Sequence, residues 1–152
     1  GARLPDRRRR ADTPAGRDGR RAMLDAARRR GASAVADLMV PKLVSQATAS
    51  ARPDLVAWVR RTIETTAVPA IESAIEALMS RPDSTPDLAR VPSPCLVIVG
   101  AEDGLTPPAE SESMHRAVAG SRLVVVPGAG HLSNLESPEA FSRALTDVLA
   151  SA

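Results

Sequence analysis

Asp103, in the loop "AEDGLT", and His131, in the loop "PGAGHLSN", are of the types and in the settings that proton transfer requires. His131 is one of only two histidines in 152 residues. A carboxylate that accepts from one ring nitrogen of an imidazole fixes its tautomer and stabilises the imidazolium, which makes the other nitrogen a general base. Glycines at 128 and 130 let the backbone turn sharply and present the ring. Glu102 takes over the acid role if the loop register slips by one. His115 falls in the segment between the two loops and is expected to face solvent. Glu136, shortly after the histidine, either braces the histidine loop or lies on the surface, and both readings stand.

These residues need elements to position them. "CLVIV", from Cys95, is a short β-branched apolar run with the look of a strand buried on both faces, and "RLVVV" reads as a second buried strand. Between them, Pro107 is a good first helical residue with Thr106 as its cap, and Gly120 is a natural stop. After the histidine loop, Ser137-Pro138-Glu139 starts a helix with Glu139 complementing its dipole, and Ala140, Phe141, Ala144, Leu145, Val148 and Leu149 form its apolar stripe. Strand, helix, strand, helix implies parallel strands joined by a right-handed crossover. Both polar loops then lie at the carboxyl ends of adjacent strands, where ligand sites of such sheets occur.

Upstream the pattern changes. Residues 1–15 have no periodicity and read as an irregular N-terminal tail. Residues 16–86 are helical and punctuated by prolines. Val35, Leu38 and Met39 form a stripe that Pro41 interrupts, Pro53 opens a helix carrying Leu55, Val56, Val59 and Ile63, and Val68, Ile71, Ile75, Leu78 and Met79 make a third stripe. The proline-rich stretch "RPDSTPDLARVPSP" is a connection, and residues 87–152 hold the strand-helix unit.

Composition narrows the function. Apolar residues at 43% and charged residues at 25% are a globular balance. The net charge of +2 is small, and Trp58 and Phe141 are the only aromatics, so the arginine runs at 7–10 and 28–30 lack the stacking residues of a nucleic-acid surface. Cys95 is expected to be a small buried hydrophobe, and one cysteine with two histidines supplies neither an internal disulfide nor a structural zinc site. No apolar stretch reaches the length of a membrane helix, and a cytoplasmic location is expected. Trp58 and Met39 are expected either in the core or lining a pocket.

"PCLVIVGAEDGLTPP" and "VVVPGAGHLSNLESPEAF" resemble the penultimate strand with its acid loop, and the last strand with its histidine loop and closing helix, of the α/β-hydrolase family, most of all its small esterases and lactonases such as the 3-oxoadipate enol-lactonases. The resemblance implies an α/β fold: two parallel strands with flanking helices, the C-terminal portion of that fold, preceded by a helical cap at residues 16–86. It implies that Asp103 and His131 are the acid and base of a Ser-Asp-His triad, with a small-molecule ester or lactone as substrate and no metal or organic cofactor. The family order is serine, acid, histidine, and the sequence contains no G-x-S-x-G. The nucleophile and oxyanion donors are therefore expected outside these 152 residues, as in a fragment of a longer hydrolase, and the chain alone is expected to be inactive. A haloalkane dehalogenase or cofactor-free haloperoxidase would use similar acid and histidine loops. A non-catalytic module built from half a hydrolase is the rival reading. It would have to fold alone, although one edge and both faces of the strand at Cys95 are expected to be poorly covered.

Overall fold

The structure is a computed structural model and describes residues 12–150. The arginine run at 7–10 and residues 1–11 of the expected tail lie outside the described residues, while the last two residues of that tail, Pro14 and Ala15, are already helical. Helix α1 spans Pro14–Arg30, with Thr13 accepting from Gly16 N at 3.1 Å and proline at the first position. Helices α2 (Ala32–Leu43), α3 (Gln46–Ala51), α4 (Pro53–Glu64) and α5 (Val68–Ser80) follow. Their stripes meet as the periodicity requires. Leu24, Ala27, Val35, Ile71 and Ile75 join α1, α2 and α5 in one cluster, and Ala36, Val40, Leu55 and Val59 join α2 to α4 in another. Pro41 does not interrupt the stripe as expected. It sits inside the last turn of α2, where a single missing N–H is tolerated in a helix already packed through Ala36 and Val40. Leu38, by contrast, points outward.

A 3₁₀ turn at Thr85–Arg90 buries Leu88 within the proline-rich connection. Strand β1 (Cys95–Gly100) then pairs in parallel with β2 (Ser121–Val126), in a register that runs from Cys95 opposite Ser121 to Gly100 opposite Val126. Helix α6 (Pro108–Ala117) forms the crossover, and α7 (Ser133–Glu136) and α8 (Pro138–Ala150) follow β2.

The alternation of β1 feeds two cores. Cys95 and Val97 pack on Leu88, Met114 and Val118, while Leu96 and Ile98 pack on Val126, Ala144 and Val148. Both faces of β1 are thus covered, which corrects the expectation that they would be poorly covered: α6 with the 3₁₀ turn takes one side and α8 the other. β2 corrects the sequence in the other direction. Only Val126 of its residues is buried, and Val125 is 41% exposed, because Leu123 and Val124 reach only the margins of the two cores that β1 fills.

Candidate active site

Gly100 ends β1 where the backbone of the histidine loop crosses it. A Cβ there would lie 2.1 Å from the Gly130 carbonyl oxygen and 2.3 Å from that of Ala129, so no side chain fits. The chain then folds over through Ala101, whose N–H donates to Val126 O, and Glu102, whose N–H donates to Ala129 O, each at 2.9 Å. These bonds tie the two strand ends together and aim the next residue, Asp103, at the histidine loop.

Asp103 is buried, and its carboxylate is held from several sides. Oδ1 accepts from Leu105 N at 2.9 Å and Thr106 N at 2.8 Å, an Asx turn, and Oδ2 accepts from the Thr106 hydroxyl at 2.7 Å. His131 Nδ1 lies 3.1 Å from Oδ1 and 3.0 Å from Oδ2. Burial by itself pushes this carboxyl up, but the bonds from His131 and from the amide and hydroxyl of Thr106 outweigh it and hold Asp103 well below the usual carboxylate range. An ionised Asp103 requires the proton on Nδ1. The lone pair able to take a proton is then on Nε2, and the ring keeps 22% side-chain exposure.

Thr106 was expected to cap α6, but Pro107 holds the N-cap position and the Thr106 hydroxyl serves the carboxylate instead. The D-x-x-T spacing was the available signal, since a side chain three residues after an Asp returns to it across an Asx turn. Glu102 contributes its backbone N–H and not its carboxylate, so Asp103 is the acid that faces the histidine.

The histidine loop turns at Gly128, whose φ of 69° lies in the left-handed region. Gly130 is needed for closeness: a Cβ there would lie 2.7 Å from Ser45 N, on the link between α2 and α3. Glu136 bridges this contact, accepting from Gly130 N at 2.9 Å and from Ser45 N at 2.8 Å. Leu132 N donates to Leu43 O at 3.1 Å, and Arg52 Nη1 donates to Leu135 O at 3.1 Å. Of the two readings left open for Glu136, bracing the loop is the one its bonds describe.

His115 departs from its expected place. Its Nδ1 lies 2.8 Å from Ser121 Oγ, which ties the end of α6 to the start of β2, and the ring is half-buried instead of facing solvent. Trp58 is 50% exposed, outside the core. Met39 lines an apolar cleft of about 300 Å³ among α1, α2, α4 and α5, together with Met23, Leu43 and Ile63. Leu43 thus borders both the cleft and the residue that follows His131. Cys95 is buried, and burial pushes its thiol up, as expected of a packed hydrophobe.

The model of the Alpha/beta hydrolase family matches residues 2–144. A pimeloyl-[acyl-carrier protein] methyl ester esterase of Neisseria meningitidis is 37% identical over 78 residues, covering 51% of this chain and 30% of that protein. The 3-oxoadipate enol-lactonase 2 of Acinetobacter baylyi is 39% identical over 77 residues, covering 51% of this chain and 28% of that protein. The structure of a thermophilic esterase from Thermogutta terrifontis superposes with a TM-score of 0.92 at 32% identity, covering 99% of this chain and 56% of that one. The chain therefore spans little more than half the length of that esterase, and its matched segment less than a third of the curated relatives.

Proposed function

Because the chain belongs to the alpha/beta hydrolase family, we propose that Asp103 and His131 are the acid and base of a Ser-Asp-His triad that hydrolyses a carboxylic ester or lactone. The observation that carries the reading is the contact of His131 Nδ1 with both Asp103 oxygens, at 3.0 and 3.1 Å, on loops that leave adjacent parallel strands. Support for the ester class comes from relatives whose names specify an esterase and an enol-lactonase.

In this reading a serine supplied from beyond these residues attacks the substrate carbonyl while His131 Nε2 takes its proton. Asp103 stabilises the imidazolium, which returns the proton to the departing alkoxide. His131 then deprotonates a water that attacks the acyl-enzyme, and proton return frees the acid and the serine. Helices α1–α5 act as the cap, and the apolar cleft that Leu43 helps to line receives the apolar part of the acyl group. No step calls on a metal or organic cofactor.

The test is hydrolysis of p-nitrophenyl butyrate by the protein as its source organism makes it. His131→Ala is expected to lower kcat on the order of 10⁶-fold, and Asp103→Asn on the order of 10⁴-fold through loss of the correct tautomer. The 152 residues alone are expected to show no turnover, because no G-x-S-x-G is among them. Hydrolysis that survives His131→Ala overturns the reading.

A further inference from the structure

The Ala129–Gly130 peptide unit, one residue ahead of the bond that joins Gly130 to His131, is gripped at both ends. Its carbonyl, from Ala129, accepts from Glu102 N at 2.9 Å, and its N–H, from Gly130, donates to Glu136 Oε1 at 2.9 Å. Glu102 precedes the acid Asp103, so one end of this unit is referred to the acid loop. Glu136 refers the other end to the helical half, since its second oxygen accepts from Ser45 N at 2.8 Å. Gly130 leaves no slack in this contact: a Cβ at that position would stand 3.1 Å from Glu136 Oε1 and 2.7 Å from Ser45 N. Two backbone donors facing one another's segments would be left without an acceptor if the carboxylate were removed, and such groups do not stay where they are. The peptide from which the chain enters Gly130 and then His131 would then lose its fixed end.

We infer that Glu136 is a positioning residue for His131, clamping the Ala129–Gly130 peptide between the acid loop and the root of α3 so that Nε2 is held in its working geometry. The inference rests on the triad reading of His131. It assigns to a residue outside the triad control over kcat instead of over substrate binding, because the clamp acts on the base and touches no part of the cleft. A displacement of about 1 Å at a reacting group costs on the order of 100-fold in rate, which sets the scale.

The experiment compares Glu136→Ala, Glu136→Gln and His131→Ala in the native protein, with p-nitrophenyl butyrate as probe and at a temperature where circular dichroism shows each variant folded. Glu136→Ala is expected to lower kcat by about 10- to 100-fold with KM changed less than about threefold, on the scale of that displacement. Glu136→Gln keeps one oxygen acceptor but turns an amide NH₂ toward the other donor, so it recovers part of the loss. The downfield proton resonance of His131 Nδ1–H, bonded to Asp103, is expected to shift or broaden in both. If Glu136→Ala does not fold, Glu136→Gln decides alone: a fall in kcat with a moved resonance supports the clamp. Wild-type kcat with an unmoved resonance in a folded Glu136 variant overturns it, provided His131→Ala is inactive. Activity that persists in His131→Ala brings down the triad reading instead, and the two failures are thereby told apart.

Discussion

At the scale of single residues, the state of Asp103 governs how the site responds to acid. Its carboxyl is held below the usual range in the folded protein, whereas in the unfolded chain it titrates near about 3.9. A depressed folded value contributes stability that is fully present above the unfolded value and is lost as pH falls from there through the folded value. Urea unfolding followed from pH 6 down to pH 2.5 is expected to show Asp103→Asn with a flatter decline below about pH 4 than the parent. Thr106→Val tests one of the causes. Valine preserves the buried shape but removes the hydroxyl that donates to Oδ2 at 2.7 Å, while the amide bonds to Oδ1 remain. Stability near neutrality is expected to fall by about 1–3 kcal/mol. The Asp103 carboxyl should rise toward its ordinary value, so that the acid-induced loss, which starts at the same unfolded value, is smaller and ends at higher pH than in the parent. An acid limb unchanged by Thr106→Val would show that the hydroxyl bond adds nothing to the charged form.

At the scale of elements, the glycine that ends β1 and the glycine of the acid loop separate packing from loop freedom. Gly100→Ala drives a methyl to within 2.1 Å of one backbone oxygen and 2.3 Å of another, neither of which can swing aside. The end of β1 must separate from the histidine loop, and destabilisation of about 3 kcal/mol, at the upper end for overpacking, is expected. Gly104 lies four residues on, with open space around its would-be Cβ and no left-handed φ, so Gly104→Ala is expected to be neutral to stabilising by up to about 1 kcal/mol. Denaturant midpoints of the two variants check this contrast, and equal effects would contradict it. The same elements show what a sequence can disclose. The β-branched run at Cys95 and the proline at 53 mark their elements because local sterics act within a few residues. The shallow burial of β2 depends on how far the helices reach over it, which no periodicity encodes, whereas the bonds of Thr106 to Asp103 and of His115 to Ser121 are local and were marked only by residue spacing.

At the scale of the whole molecule, the helical half and the strand-bearing half meet along a seam that the sequence left open in Glu136 alone. Asp103 and His131 were legible because each lies on the loop that leaves a recognisable strand, and topology then brings the loops together. The seam was not legible, because it joins residues some ninety positions apart, such as Ser45 and Glu136, through backbone donors that carry no compositional mark. Besides those hydrogen bonds it contains Leu132 and Leu135, which pack against the cluster of Ala36, Val40, Leu55 and Val59 on α2 and α4. The interiors on either side are separate: Leu96 and Ile98 belong to the α8 core, and Ile71 and Ile75 to the α1–α5 core. A junction of this kind, with few apolar side chains and a handful of polar bonds, is where sub-global opening divides a molecule. Leu135→Ala removes one of its half-buried anchors and is expected to cost about 2 kcal/mol, less than truncation in a full core. Native-state hydrogen exchange reads where that cost falls. Amides of α2 and α4 should exchange roughly 30-fold faster in the variant, as 2 kcal/mol dictates, while those of β1 keep their protection. An equal loss of protection in β1 and α4 would mean that the halves open only together and that the seam is part of one cooperative core.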